Sequence, residues 1–370
     1  MKILQIIYES FNSPYGFGGA GVRAYEIYKR LAERHDITLL CMQYPGAKDG
    51  DIHGLKHVFV GTESKSLMKS VLAYTMKAAL YVKKHGDDFD IIVENFLPST
   101  PFFSPLMTKT PVILQVQGVM YKHVFEKFNP LLSTPMNFAE KFYPCLFDKF
   151  IFVSEVTKNK VMAGIRRHVK VCSVIPNGID KNLLDINSEE DDYILFFSRI
   201  DRYTKGIDLL ISAFERLAPE YPHLKLVLAG YESDKFETVL SGCPPSLRGK
   251  IAYAGFVTGE ERMRLLSRAK LFVLPSRHES SPISIIEAAA CGKAVIVSDI
   301  PELQFVEKNG FGVSFPSGFS DGLREKLGML LQHDDMRHDL GLHGRRYAQR
   351  YLWDTIAPEF ENVISSLHLL

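Results

Sequence analysis

The residues with the clearest chemical potential lie in two polar loops that each follow an apolar strand pattern. Arg199 and Lys205 lie in the first loop, which ends at Gly206. Two cations at the carboxyl edge of a sheet suit a diphosphate, because Arg makes bidentate contacts and Lys supplies a point charge. A charged surface loop is the alternative interpretation. Glu279 and Glu287 lie in the second loop and the segment after it, RHESSPISIIEAAACGK.

A helix is predicted to begin immediately after the second loop. Ser281 is a good N-cap residue, Pro282 suits the first helical position and Gly292 suits the end of a helix of about ten residues. The N-terminus of such a helix offers backbone N–H groups and positive dipole charge to a phosphate. The expected donors are the amides of Ile283 and Ser284.

The two glutamates are too far apart to form one carboxylate pair. Eight residues of helix rise about 12 Å, so Glu279 in the loop and Glu287 in the helix would contact different parts of one long ligand. The alternative is that Glu279 caps the helix and Glu287 is a solvated side chain.

A glycine-rich loop lies near the N-terminus, where Gly16, Gly18, Gly19 and Gly21 precede a predicted helix. A loop without side chains lets the backbone approach a ligand closely. The pattern is not a Walker loop, because no GK[ST] follows it. A simple tight turn is the alternative.

Sequence patterns for other chemistries are missing. His333, His338 and His343 recur every five residues, but each such step rotates a helix by about 140°, so they do not share a face. HExxH, paired-cysteine and GxSxG patterns do not occur. We therefore expect no cofactor and no obligatory metal.

Alternation of apolar runs with helical patterns predicts an α/β protein with parallel sheets. Strands are predicted at 3–8, 37–41, 91–94, 112–116 and 150–153, and a second series at 193–198, 225–229, 251–254, 271–274 and 294–298. Helices are predicted at 22–34 and 207–217. Each series begins with strand, loop and helix, which indicates two doubly wound domains, with ligands at the carboxyl ends of the strands. The junction is predicted near IPNGID and the acidic patch that follows it.

Composition indicates an ordinary globular protein of 370 residues with 46% hydrophobic residues. Lys and Arg number 44 against 43 Asp and Glu, a net charge of +1, so no overall field attracts nucleic acid. Five scattered cysteines suggest reduced thiols in the cytoplasm. The N-terminal apolar run is too short for a signal peptide, and no stretch is long enough to span a membrane.

Taken in order, several segments resemble the retaining GT-B glycosyltransferases of family 4. They are the GGAG loop, VSE at 153–155, IPNGID at 175–180, SRIDRYTKGID at 198–208, AGF at 254–256, and the Glu-x7-Glu segment with its trailing AACGKAVIVSDIPE. The resemblance covers nearly the whole chain and is looser between residues 48 and 150.

The resemblance implies two Rossmann-like domains facing across a cleft. Residues 1–173 would form the acceptor-side domain, with 354–370 packing back onto it, and residues 174–353 would bind the nucleotide-sugar donor. Arg199 and Lys205 would bind the diphosphate and stabilise it as the leaving group. Glu279 would contact hydroxyls of the donor sugar and Glu287 those of the ribose. Amides at Ile283 and Gly19 would complete the phosphate cradle.

This chain departs from the family pattern at two places. Many members have a histidine near the reacting centre, after the strand that here is VILQV, where this chain has Gln117. An amide can hydrogen-bond a sugar but cannot exchange a proton, so Gln117 would orient the sugar, or nearby His123 would substitute, or activity would be reduced. Ser281 and Pro282 replace the common Phe–Gly, which would alter the sugar pocket.

Two segments combine lysines with apolar side chains, 65–85 and 122–149. The first carries Lys65 among five lysines, and the second carries Lys122, Phe125, Phe128, Phe138, Phe142, Tyr143 and Phe147. Such helices suit an anionic membrane face. The alternative is that they cover the first sheet with their lysines in water.

These observations predict a metal-independent retaining glycosyltransferase with a UDP- or GDP-linked donor and a sugar, lipid-linked or other hydroxyl acceptor. A GT-B-fold sugar-nucleotide epimerase and a non-catalytic nucleotide-sugar-binding protein are the alternatives. The predicted location is the cytoplasm, with peripheral contact to a membrane as an option.

Overall fold

The computed structural model describes residues 1–14, 17–64, 66–121, 123–127, 129–187 and 189–368. Gly16, Lys65, Lys122 and Phe128, which the sequence analysis names, lie outside these residues. The chain divides into two compact units. The first contains Met1–Asn177 and Trp353–Leu370, and the second contains Gly178–Leu352.

The first unit is built on a sheet of eight strands. Its strands are β1 (Lys2–Ile6), β2 (Asp36–Met42), β3 (Gly50–Ile52), β4 (Leu55–Val60), β5 (Ile91–Asn95), β6 (Val112–Val116), β7 (Lys149–Phe152) and β8 (Val171–Val174). Its first helices are α1 (Gly19–Leu31), α2 (Leu67–His85), α3 (His123–Lys127), α4 (Pro130–Phe142) and α5 (Glu155–Met162). The strand order is β3-β4-β2-β1-β5-β6-β7-β8, and only the β3–β4 pair is antiparallel.

The second unit is built on a parallel sheet of six strands. Its strands are β9 (Tyr193–Phe197), β10 (Lys225–Ala229), β11 (Ile251–Gly255), β12 (Leu271–Leu274), β13 (Val295–Ser298) and β14 (Gly312–Phe315), in the order β11-β10-β9-β12-β13-β14. Its helices are α6 (Ile207–Leu217), α7 (Phe236–Ser241), α8 (Gly259–Ser267), α9 (Ile283–Ala290), α10 (Phe305–Lys308), α11 (Ser320–Gln332) and α12 (Asp334–Ala348).

The last helix, α13 (Trp353–His368), belongs to the first unit and packs on α1. Arg30 of α1 donates to Asp354 at 2.7 Å, and the rings of Tyr28 and Phe360 meet edge to face. The chain leaves the first unit after Asn177. The predicted boundary after residue 173 falls inside β8. The last residue of this strand, Val174, still pairs with Phe152 of β7.

The α/β fold with two parallel sheets is confirmed, and all ten predicted strands are present with bounds that differ by at most two residues. The helix predicted at 207–217 is confirmed, whereas the one predicted at 22–34 begins and ends three residues earlier. Four strands were not predicted, β3, β4, β8 and β14. They are short or carry polar residues that break the apolar run, as in LKHVFV of β4. None of the helices in the described ranges is long and apolar enough to cross a membrane.

Each sheet has a topological switch point, where chain connections leave in opposite directions. In the first sheet it lies between β1 and β5, and in the second between β9 and β12. Ligands of open α/β sheets bind beyond the carboxyl ends of the strands at such points. The loops after these four strands are therefore where functional side chains are expected.

Candidate functional site

A cation and a carboxylate meet at the switch point of the second sheet. Lys205 follows β9 and Glu279 follows β12, and the Lys205 ammonium lies 2.5 Å from Oε1 of Glu279. The Ser276 hydroxyl donates to the same oxygen at 2.7 Å. Both contacts use Oε1, so Oε2 of Glu279 has no hydrogen-bond donor within the described part of the chain. Glu279 is buried and bonds to Lys205 and Ser276, and α9 begins without a side-chain cap at Pro282. These contacts favour the paired carboxylate over the alternative interpretation of a helix cap.

The loop that carries Lys205 is held in place by contacts of Asp201 within the loop and by the close approach of Gly206 to Pro275. Asp201 is buried, accepts the N–H of Thr204 at 2.9 Å and pairs with Arg199 at 3.1 Å. Gly206 has φ +68, and a Cβ there would lie 2.0 Å from the Pro275 carbonyl oxygen. Only glycine fits this close approach. Arg199 is itself exposed, so its guanidinium is accessible to a ligand.

Arg277 joins the two loops, a role that the sequence analysis missed. Its guanidinium forms a two-pronged pair with Asp208 of α6 at 2.8 and 2.7 Å. It also stacks on the Tyr203 ring at 4.6 Å, and its backbone N–H donates to the Thr204 carbonyl at 2.9 Å. These contacts hold the loop after β9 against the loop after β12, and thereby align the pair of Lys205 and Glu279.

Helix α9 begins one residue later than predicted. Pro282 occupies the N-cap and Ile283 the first helical position, so Ser281 lies outside the helix. The helix spans eight residues instead of about ten. The first backbone amides of the helix are those of Ile283 and Ser284, the two donors that the sequence predicts. Gly292 has φ +70 and follows the C-cap, where a left-handed residue ends a helix.

Glu287 is buried in α9, so the interpretation of a solvated side chain is wrong. Arg262 of α8 pairs with its Oε1 at 2.9 Å, and the same guanidinium pairs with Asp180 at 3.1 Å. Arg262 thus anchors the carboxylate of Glu287 next to the start of the second unit. The structure does not bring Glu287 and Glu279 into one pair.

The glycine-rich loop of the first unit is occupied by a carboxylate from its own chain. Glu9 follows β1, and its Oε2 accepts the N–H of Gly18 at 2.9 Å and that of Gly21 at 2.6 Å. A Cβ at Gly21 would lie 2.7 Å from this oxygen. The same Cβ would lie 2.6 Å from the Phe17 ring, so Gly21 makes room for both Glu9 and Phe17. Gly19 begins α1 between the two bonded amides.

Gln117 lies beyond the end of β6 and contacts Asn95, the last residue of β5. Its Nε2 donates to Oδ1 of Asn95 at 3.3 Å. His123 begins α3, and its Nδ1 lies 2.9 Å from the Glu126 carboxylate. Asn95 is at the switch point of the first sheet, which supports a site at the carboxyl edge of this unit.

Glu9 and Asn95 were missed because the sequence analysis considered only the glycines, Gln117 and His123 as site candidates in this unit. Applying the carboxyl-end rule to every predicted strand would have found both, since each is a polar residue directly beyond or at the end of an apolar run. Across the ranges that the structure covers, no three His, Cys, Asp or Glu side chains are grouped as metal ligands would be.

Comparisons with known proteins agree with this architecture. The family model described as Glycosyltransferase Family 4 matches residues 17–183, and the one described as Glycosyl transferases group 1 matches residues 180–347. An uncharacterized glycosyltransferase of Methanocaldococcus jannaschii is 22% identical over 370 residues, 99% of each chain. A phosphatidyl-myo-inositol mannosyltransferase of Propionibacterium freudenreichii is 27% identical over 299 residues, 76% of this chain and 72% of the relative.

A solved structure is similar as well. HepE of Anabaena in complex with UDP-glucose has a TM-score of 0.75 at 18% identity, covering 99% of this chain and 100% of that one. The two parallel-sheet units and these similarities define a transferase of the GT-B fold. The chain belongs to the family 4 (group 1) glycosyltransferases.

Proposed function

We propose that the protein is a retaining glycosyltransferase that moves a sugar from a UDP- or GDP-linked donor to an acceptor hydroxyl, in the synthesis of a glycan, glycolipid or glycoside. The contact of Lys205 with Glu279 at the switch point of the second sheet carries this proposal. It joins a cation suited to a diphosphate and a carboxylate suited to sugar hydroxyls at one place.

Each donor-side residue has a role that its contacts support. An ammonium has three donors, so Lys205 can keep Glu279 and still meet a phosphate oxygen. Arg199 contributes a second, accessible cation for the diphosphate. Oε2 of Glu279 is directed to a hydroxyl of the donor sugar, and the anchored carboxylate of Glu287 to the ribose. The amides of Ile283 and Ser284 bind phosphate at the N-terminus of α9.

In this proposal the first unit supplies the acceptor side. Gly19 offers a backbone N–H at the start of α1, and the Gln117 amide orients the sugar without exchanging a proton. The second unit, Gly178–Leu352, is the donor domain in this proposal.

The reaction needs little beyond positioning and charge. A held donor, a stabilised diphosphate and an acceptor hydroxyl on the face of the leaving group suffice for transfer with retention. We assign no carboxylate as a nucleophile and no obligatory metal. The names of two similar proteins support this substrate class: one was solved with UDP-glucose, and one is a mannosyltransferase acting on phosphatidyl-myo-inositol.

The direct test is incubation of the protein with a panel of UDP- and GDP-sugars in the presence of EDTA, with detection of released nucleoside diphosphate. We expect slow release without an acceptor and faster release with one. Proton NMR of the product should show the anomeric configuration of the donor. An isomerised donor would indicate an epimerase, and binding without release a non-catalytic protein. Neither alternative is favoured by the comparisons.

We also propose peripheral contact with an anionic membrane through α2, in an otherwise cytoplasmic protein. Met68, Leu72, Met76 and Leu80 recur every fourth residue along α2 and are 61–63% exposed, while Ser70, Tyr74, Ala78 and Val82 form the buried face. Lys69, Lys77, Lys83 and Lys84 flank the apolar stripe. In the second basic segment Phe138 and Phe142 are exposed, but Tyr143 and Phe147 are buried and belong to the core.

Flotation with vesicles containing phosphatidylglycerol tests this contact. The double variant Leu72→Ser/Met76→Ser should bind the vesicles at least tenfold more weakly than the wild type, because burial of each such side chain contributes about 1–2 kcal/mol. Met336→Ser/Leu342→Ser, in exposed apolar positions of α12, is the matched control. Equal binding by both double variants would contradict the proposal.

A further inference from the structure

Arg23 of α1 is a buried cation without a carboxylate partner among the residues that the structure describes. Its Nη1 donates to the Pro176 carbonyl at 2.6 Å and to Oδ1 of Asn177 at 3.2 Å. Its Nη2 is buried and has no hydrogen-bond partner in the described ranges. Burial lowers the pKa of Arg23 to about 9. A buried guanidinium without a carboxylate partner lowers the stability of the fold. We therefore look for its function in the side chains that it orients.

The remaining donor of Arg23 begins a chain of hydrogen bonds that ends at Gln117. Nε of Arg23 donates to Oε1 of Gln115 at 3.2 Å. Nε2 of Gln115 donates to Oδ1 of Asn95 at 3.3 Å. The same Oδ1 accepts Nε2 of Gln117 at 3.3 Å. Arg23, Gln115 and Asn95 are all buried, so water does not compete with these contacts.

The direction of every bond in this chain follows from the arginine. A guanidinium can only donate, so Gln115 must turn its oxygen to Arg23 and its NH₂ group to Asn95. Asn95 must then present its oxygen, because a donor requires an acceptor. Gln117 must in turn present its NH₂ group to that oxygen. If any one amide were turned over, two donors or two acceptors would face each other inside the protein, which costs about 1–3 kcal/mol for each unsatisfied group.

We propose that Arg23 is a positioning residue that fixes the amide of Gln117 so that its carbonyl oxygen, and not its NH₂ group, faces the substrate. This inference rests on the proposed role of Gln117 at the donor sugar. A fixed oxygen accepts a hydrogen bond from a sugar hydroxyl or amide N–H. It selects a donor sugar that carries such a group at the contacted position and disfavours one with hydrogen or fluorine there. Oε1 of Gln117 accepts no hydrogen bond from the described residues, consistent with this use.

A double-mutant cycle tests whether Arg23 acts through Gln117. Gln117→Ala should lower kcat/KM about tenfold through loss of the sugar contact. Arg23→Met should lower it several-fold, because Gln115 and then Gln117 can turn over. In the Gln117→Ala background, Arg23→Met should have no further effect. Full multiplication of the two losses would overturn the proposal, since a merely structural role of Arg23 does not depend on Gln117.

A spectroscopic measurement tests the orientation without using activity. In the wild type the side-chain NH₂ protons of Gln117, assigned by comparison with Gln117→Ala, should exchange slowly with solvent. Arg23→Met should accelerate this exchange at least tenfold. Unchanged exchange would overturn the proposal. Faster exchange in Arg23→Met combined with an unchanged kcat/KM in Gln117→Ala would uphold the fixed orientation but remove Gln117 from the sugar site, so the two hypotheses fail separately.

Asn95 provides a second pair of variants in case Arg23→Met does not fold. Asn95→Asp retains an oxygen that accepts from both glutamines and should retain slow exchange at Gln117. Asn95→Leu removes that acceptor and should accelerate the exchange. If both variants exchange as the wild type does, Asn95 does not transmit the orientation and the proposal is wrong.

Discussion

Replacing Lys205 by Ala removes the cation that we expect to meet charge developing on the diphosphate as the sugar–phosphate bond breaks. Such a contact strengthens in the transition state, so kcat should fall much more than the affinity for the donor. The Lys205 side chain is 14% exposed and contacts a carboxylate that is 5% exposed. The cation therefore acts in an environment of low polarity, where one charge has a large effect.

The magnitude follows from this geometry. Two unit charges at ~4 Å interact by about 4 kcal/mol at an effective dielectric constant of ~20. Glu279 offsets part of the field of Lys205, so we expect about 3 kcal/mol for the leaving group, the size typical for loss of one such donor. A loss of about 3 kcal/mol corresponds to a decrease in kcat of roughly 10²-fold. Loss of one comparable donor elsewhere typically costs 10²–10³-fold.

The assay is release of nucleoside diphosphate at saturating donor, with donor affinity measured by calorimetry. Lys205→Ala also leaves Glu279 without its counter-charge, so unfolding by urea must be measured in parallel. The double variant Lys205→Met/Glu279→Gln removes both charges and should recover stability without recovering kcat. If Lys205→Ala retained more than half of the wild-type kcat, the assignment of Lys205 to the leaving group would be refuted.

A matched control lies at the opposite edge of the same sheet. Lys270 precedes β12 and pairs with Asp192 at 2.6 Å, so it resembles Lys205 in residue type and pairing but lies at the amino end of the strand. Lys270→Ala should change kcat by less than twofold. An equal loss in both variants would show that the effect of Lys205 is general destabilisation.

Three further predictions concern stability and ligand division. Glu94 is fully buried, and desolvation raises its pKa from 4.5 to about 7. Between pH 4.5 and pH 7 the folded state therefore binds more protons than the unfolded state. The free energy of unfolding should fall by about 3 kcal/mol as the pH rises through this range. Urea unfolding should show Glu94→Gln to be more stable than the wild type at pH 8 and nearly equal to it near pH 4.5; equal pH dependence in both would contradict the assignment. Gly21→Ala should destabilise by about 1–2 kcal/mol because its Cβ displaces the Glu9 carboxylate and the Phe17 ring. The loss should be smaller in a Glu9→Ala background, where only the Phe17 ring must move; additive effects would separate Gly21 from Glu9. Glu287→Gln should weaken calorimetric binding of nucleoside diphosphate alone, whereas Glu279→Gln should leave it nearly unchanged and impair use of the intact donor; equal losses would end this division of roles.

Local patterns were sufficient for most of the fold. A central strand of a parallel sheet is buried on both faces and therefore appears as a continuous apolar run, as in LFVL of β12. The helix at 207–217 has a strong apolar face and begins directly after Gly206. The loops that carry Lys205 and Glu279 follow such strands, so their position at a sheet edge could be predicted. Strand β4, which lies next to the edge strand β3, was missed because its exposed residues interrupt the apolar run.

The partners of each polar side chain were decided by the tertiary structure. The sequence by itself determined that Gln117 follows a strand, but its contact with Asn95 depends on β5 lying beside β6. In the sequence Arg23 looks like an ordinary surface residue of an amphipathic helix. In the structure it is buried and bonds to Gln115 and to the carbonyl of Pro176. Glu287 pairs with Arg262 from another helix, and Glu9 reaches glycines nine and twelve residues away. Each of these contacts joins residues from different segments of the chain, and a local sequence pattern carries no information about such partners. The partners are decided only when the strands and helices take their places in the fold.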